Sequence, residues 1–149
     1  MRPINRFKTL TTDEGAGTCT LSLNGHALPE HFDGTILEGQ YELPDGHSLI
    51  CLSDESIYDA GLHLHLMTTD GRIEDVMEGG GFFCPGYFQA RNLLDDSLDF
   101  RFFTNDLVYR VNVLPQSRFR FILPPGWRYK HRLRPHRLTL TEFAKAHHE

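Results

Sequence analysis

What most constrains this chain of 149 residues is alternation with period two, cut at near-regular intervals by turn residues. In SLDFRFF, Leu98, Phe100 and Phe102 fall on one face, and Asp99 and Arg101 on the other. In SRFRFIL, Phe119 and Phe121 oppose Arg118 and Arg120. This spacing gathers apolar side chains on one side of an extended strand, and a helix cannot reproduce it. Asn24-Gly25, between TCTLSL and HALPE, is a strong hairpin signal because both residues tolerate positive φ. Pro44-Asp45-Gly46, Asp70-Gly71, Asp95-Asp96, Asn105-Asp106 and Pro115-Gln116 mark further turns. About nine strands follow, mostly joined by hairpins. The expected fold is an all-β, single-domain antiparallel meander over 1–149, arranged as a β-sandwich or a barrel.

Two segments break the alternation. GGGFFCPG, from Gly79 to Gly86, reads as a crossover or loop. Its three glycines lack the Lys-Ser/Thr of a phosphate loop, and Phe82 and Phe83 with Tyr87 instead suggest an aromatic ligand loop. Thr139 and Glu142 form a capping box ahead of Phe143 and Ala144, which predicts a short C-terminal helix from Thr139 to His148.

No run approaches the ~20 apolar residues of a membrane-spanning helix. The basic start, MRPINRFKTLTTDEG, is not followed by the apolar core of a secretory signal. Cys19, Cys51 and Cys84 are an odd set without C-x-x-C, so free thiols and a cytoplasmic location are expected. Cys84 precedes a proline in a turn, with no base placed beside it by the sequence. The carboxylates at Asp54, Glu55 and Asp59, and at Asp95, Asp96 and Asp99, fall at turns where aspartate is expected in any case. No nucleophile elbow, His-Glu-x-x-His or EF-hand loop is present. The expectation leans away from an enzyme, with no catalytic residue and no cofactor assigned.

Leu62-His63-Leu64-His65-Leu66 places three leucines on one strand face and two imidazoles on the other. Two histidines at i and i+2 can reach one metal ion, so His63 and His65 are the candidate metal ligands. The alternative is a half-exposed face carrying two solvated histidines. The pair resembles the first motif of the cupins, Gly-x5-His-x-His-x3-4-Glu-x6-Gly. That resemblance implies a metal- or ligand-binding β-barrel enzyme using His63 and His65. The sequence departs from the pattern where Asp70 replaces the glutamate and Gly61 stands too close to His63. Gln89, in CPGYFQARN, falls where the second motif has a histidine.

Charge is segregated along the chain. Residues 1–113 hold 7 Lys+Arg against 18 Asp+Glu, a net charge of -11, and residues 114–149 hold 8 against 2, or +6. The basic arm interleaves Trp127, Arg128, Tyr129, Lys130, Arg132, Arg134 and Arg137. It suits packing on its own acidic body or a second subunit, binding of a protein partner, or, as a lesser alternative, nucleic acid. The leading expectation is a non-catalytic binding or accessory protein, immunity- or adaptor-like, acting through protein–protein contacts or self-association and without a membrane role. Opposed electrostatic faces would orient the encounter.

Overall fold

The computed structural model describes residues 1–54, 61–80, 86–103, 107–119 and 122–143. These residues form thirteen strands, and every strand pairing is antiparallel. They are β1 (Arg2–Pro3), β2 (Phe7–Asp13), β3 (Thr18–Leu23), β4 (His26–Asp33), β5 (Ile36–Glu42), β6 (Ser48–Ser53) and β7 (Gly61–Met67). Then follow β8 (Ile73–Gly80), β9 (Gly86–Leu93), β10 (Ser97–Phe103), β11 (Val108–Arg118), β12 (Trp127–Tyr129) and β13 (His136–Phe143). Three sheets result: β1-β5-β6-β7-β8-β12, β13-β11-β10-β9 and β2-β3-β4. No closed barrel forms among the described residues.

The six-stranded sheet lies between the other two, which explains its composition. In β6, Leu49 and Cys51 enter a core with Phe100, Phe102, Val111 and Leu138 of the four-stranded sheet. Ile50 and Leu52, one residue out of step, enter a second core with Phe7, Cys19, Leu21 and Phe32 of the three-stranded sheet. A strand covered on both faces reads as a continuous apolar run, as SLICLS does. In β7 the leucines again face the first core.

The turn signals at Asn24-Gly25, Pro44-Asp45-Gly46 and Asp70-Gly71 each separate two paired strands. Asn24 (φ 51°) and Gly25 (φ 85°) join β3 to β4, both in the left-handed region that a type I′ turn requires. Pro44-Asp45-Gly46 lies between β5 and β6, and Asp70-Gly71 between β7 and β8. Asn105-Asp106 lies outside the described residues.

Three expectations need correction. Pro115-Gln116 does not turn the chain, because β11 runs through both residues to Arg118. Of the separate strand expected over SRFRFIL, Ser117 and Arg118 are instead the end of β11, and Phe119 is exposed just past it. Residues 139–143 are not helical; they belong to β13, pairing Thr139 with Asn112 and Glu142 with Tyr109. Leu138 and Leu140 are buried in the first core, so long-range pairing of a β-branched, alternating stretch outweighs the local capping box. The rest of the expected helix, 144–148, lies outside the described residues.

The basic arm is woven into the fold. After β11 the chain crosses to place β12 on β8, with Trp127 opposite Gly79, and β13 then returns to β11. A Cβ on Gly79 would lie 2.5 Å from the indole, so only glycine lets Trp127 lie flat there. The indole packs against Phe100, Phe103 and Tyr109. The arm thus ties two sheets together.

Candidate functional site

The sheet register assembles a row of polar side chains on the face of the six-stranded sheet opposite the first core. Leu52 pairs with His63, His63 with Glu78, and Glu78 with Arg128. Directly paired residues on adjacent strands hold their side chains in reach of one another. Gly34, in a left-handed conformation (φ +99°), then turns the end of β4 against this row. A Cβ there would come within 2.7 Å of the Leu52 Cβ and 3.3 Å of the His63 ring. That close approach brings Asp33 beside His63. Gly61 does the same for Asp54, whose carboxylate occupies the space a Cβ would need.

The result is an open cleft of about 930 Å³, lined among others by Glu14, Asp33, Thr35, Asp54, His63 and Glu78. Arg128 and Lys130 form part of its wall. The Nε2 of His63 lies 3.1 Å from both carboxylate oxygens of Asp54, and its Nδ1 lies 3.5 Å from Oε1 of Glu78. Arg128 pairs with Glu78 at 2.9 Å, and Lys130 with Asp33 at 2.6 Å. One ligand atom each from Asp33, His63 and Glu78 can be chosen so that all lie within 4.8 Å of one another.

Burial disfavours the charged form of His63, but hydrogen bonding and Coulombic attraction to Asp54 and Glu78 prevail, and its pKa is pushed up to about 9. The hydrogen bond from His63, with Arg128 adding to it, holds the Glu78 carboxyl below its ordinary range. His65 is the opposite case. It is fully buried, 5.4 Å from Phe32 between ring centroids, and its Nε2 accepts a hydrogen bond of 3.3 Å from the backbone N–H of Asp33. Burial, reinforced by the charge of His63, lowers its pKa to about 3.

The two histidines are therefore on one strand face, as alternation requires, but they do different things. His63 reaches the cleft, whereas His65 lies beneath the three-stranded sheet and anchors the backbone next to Asp33. Neither is a solvated side chain on a half-exposed face, because the second core covers that side of β7. Asp70, the acid in the cupin-like spacing, bonds to Thr68 in the β7–β8 turn instead.

The arm residues separate just as clearly. Trp127 is buried, and Tyr129 donates to the Leu138 carbonyl at 2.6 Å while stacking on His136. Arg128 and Lys130 are held by the cleft acids, and Arg137 by Glu74 and the Leu114 carbonyl. Arg132 and Arg134 are exposed in the turn before β13. Tyr87 is exposed on β9, while Phe82, Phe83 and Cys84 lie outside the described residues. Of the acidic turn clusters, Asp54 enters the cleft and Asp99 is buried against Arg110 at 2.6 Å. Glu55 and Asp59 lie outside the described residues.

Asp33, Thr35 and Glu78 were not singled out by the sequence. Glu78 had a usable signal: pairing outward from the Asp70-Gly71 turn puts it opposite His63. Asp33 and Thr35 had none, because Asp33 arrives from the three-stranded sheet and Thr35 from the link between β4 and β5. No family model, no curated protein and no solved structure matches this chain.

Proposed function

We propose that this chain is a binding protein whose recognition surface is the cleft, and that the cleft takes a cationic group. One observation carries this reading: four carboxylates, Glu14, Asp33, Asp54 and Glu78, converge from separate segments on a single open cleft. Arg128, Lys130 and His63 offset part of that charge. Glu14 has no ion pair among the described residues, so the cleft retains an excess of negative charge. Low-dielectric walls focus such a field and raise the local concentration of cations.

The test is a set of amide shift maps recorded with spermidine, zinc chloride and inorganic phosphate. Cations should move the amides of Gly15, Gly17 and Thr35, and phosphate should not. Phosphate shifts at those amides, or no cleft response to either cation, would overturn the reading.

A second reading, contact with a protein partner through the arm, draws on Leu133. This side chain is 94% exposed between Arg132 and Arg134. An apolar tip flanked by cations that have no ion pair among the described residues suits an acidic protein surface better than a nucleic-acid backbone, since Arg128, Lys130 and Arg137 are already engaged internally. Replacing Leu133 and Arg134 with alanine should then abolish capture of a partner from nuclease-treated extract while leaving the fold intact.

A further inference from the structure

We infer that Asp33, His63 and Glu78 form a site for a divalent transition-metal ion of the zinc class, with Asp54 as the group that orients His63. This inference rests on the cation-binding reading of the cleft and names its ligand. The donor set is one imidazole and two carboxylates, from three strands of two sheets. An imidazole among the donors favours zinc, cobalt or manganese over the all-oxygen shells of calcium and magnesium.

The two nitrogens of His63 are already differentiated. Nε2 faces both oxygens of Asp54, which is the arrangement by which a carboxylate fixes the orientation of a metal-bound histidine. Nδ1 is buried and faces Oε1 of Glu78 at a long 3.5 Å. That nitrogen is the ligand atom, and the ion takes the place of the proton it directs at Glu78. A second and separate observation is Thr35. This cleft residue is only 9% exposed, and its Oγ1 has no hydrogen-bond partner among the described residues. A buried hydroxyl without a partner is costly unless something at the site satisfies it, and a water on the metal would do so. Three protein ligands leave at least one position on the ion open for that water.

The donors now span up to 4.8 Å, whereas tetrahedral ligands at about 2.1 Å from zinc are roughly 3.4 Å apart. Closure by about an ångström is within reach of side-chain rotation. It requires Lys130 to leave Asp33 and Arg128 to leave Glu78. These two cations hold the carboxylates in the metal-free protein, and both are half-exposed or nearly so. Their displacement into water is therefore inexpensive.

The test uses the full chain without a purification tag, stripped with chelator and titrated with zinc chloride against a chromogenic competitor. One zinc ion per chain is expected. Asp33→Asn, His63→Gln and Glu78→Gln should each weaken binding at least tenfold. Asp54→Asn should weaken it about tenfold or more, as loss of an orienting carboxylate does. Lys130→Ala should tighten it by about two- to fivefold, since it removes an exposed competitor for Asp33. Misfolding cannot produce that gain. Cobalt substitution should give the visible bands of a site with nitrogen and oxygen ligands, and these should be lost in His63→Gln. Failure of the folded wild type to bind zinc, or binding that survives all three ligand substitutions, would overturn the inference. If zinc fails while spermidine still shifts the cleft amides, the metal site falls and the cation-binding cleft stands.

Discussion

Replacing Asp75 with asparagine should cost about 1–3 kcal/mol of stability, although it changes only one atom's identity. Asp75 is buried on β8, and its two oxygens accept four hydrogen bonds. Oδ2 takes the backbone N–H groups of Arg137 and Leu138, each at 2.9 Å. Oδ1 takes His136 Nδ1 and the N–H of Val76, each at 3.0 Å. The carboxylate therefore fastens the start of β13 to the six-stranded sheet across more than sixty residues of chain. An asparagine keeps one oxygen and turns the other into a donor: at the Oδ2 place this leaves the N–H groups of Arg137 and Leu138 without an acceptor, and at the Oδ1 place that of Val76, with His136 switching to the tautomer whose Nδ1 accepts. Each orphaned donor costs about 1–3 kcal/mol. Urea unfolding of Asp75→Asn against wild type, followed by tyrosine and tryptophan fluorescence, reads the loss directly. His136→Phe keeps a ring on Tyr129, with which His136 stacks at 3.6 Å, but removes one donor. Combining it with Asp75→Asn should give a coupling energy of about 1 kcal/mol or more. A loss below about 1 kcal/mol for Asp75→Asn would show that water already satisfies these groups and that the carboxylate is not what fastens β13.

Gly79→Ala should destabilise by about 1–3 kcal/mol, because its methyl would strike the Trp127 indole; red-shifted tryptophan emission and a lower Tm are the readouts. In the metal-free protein, stability should peak near pH 6.5. The depressed pKa of His65 means that the unfolded chain binds the extra proton, so stability falls as pH drops from about 6.5 towards 3. The raised pKa of His63 acts in the opposite sense: its contribution is complete below about 6.5 and is lost as pH rises to about 9. Each limb slopes by at most about 1.4 kcal/mol per pH unit, and His63→Gln should flatten the alkaline one in unfolding curves taken across pH. Burial, with Asp33 adding to it, pushes the Cys19 thiol up to about 11, and burial raises Cys51 further. Neither should react with iodoacetamide at pH 8 until denaturant is added, as mapped by peptide mass spectrometry.

Much of the fold was legible because strand sequences carry their own geometry. Period two fixed the faces of β7 and β10, and positive-φ residues fixed the β3–β4 turn. The errors occurred where local signals compete with distant pairing. Thr139 and Glu142 match a capping box, yet β11 offers that stretch a full row of partners. Pro115 looks like a turn residue, yet it lies in β11 within the irregularity of its pairing with β13 between Val113 and Arg118, where a missing N–H is tolerated.

The candidate site was legible only in part, for a similar reason. His63 stood out because a strand face is a local property. Its partners did not, because Asp33 belongs to a sheet formed by residues 7–33 and Arg128 and Lys130 to a segment fifty residues past Glu78.

By itself the sequence determined an all-β antiparallel chain, its described hairpins at Asn24-Gly25, Pro44-Asp45-Gly46 and Asp70-Gly71, and the split of His63 and His65 from the leucines of β7. It also determined that an acidic body precedes a basic tail. Packing between distant segments set which strand faces are covered, which histidine is buried and which reaches a cleft, and where the tail closes on the body. Alternation states which side chains share a face. What that face meets depends on burial and pairing between segments far apart in the chain, and no local pattern encodes those.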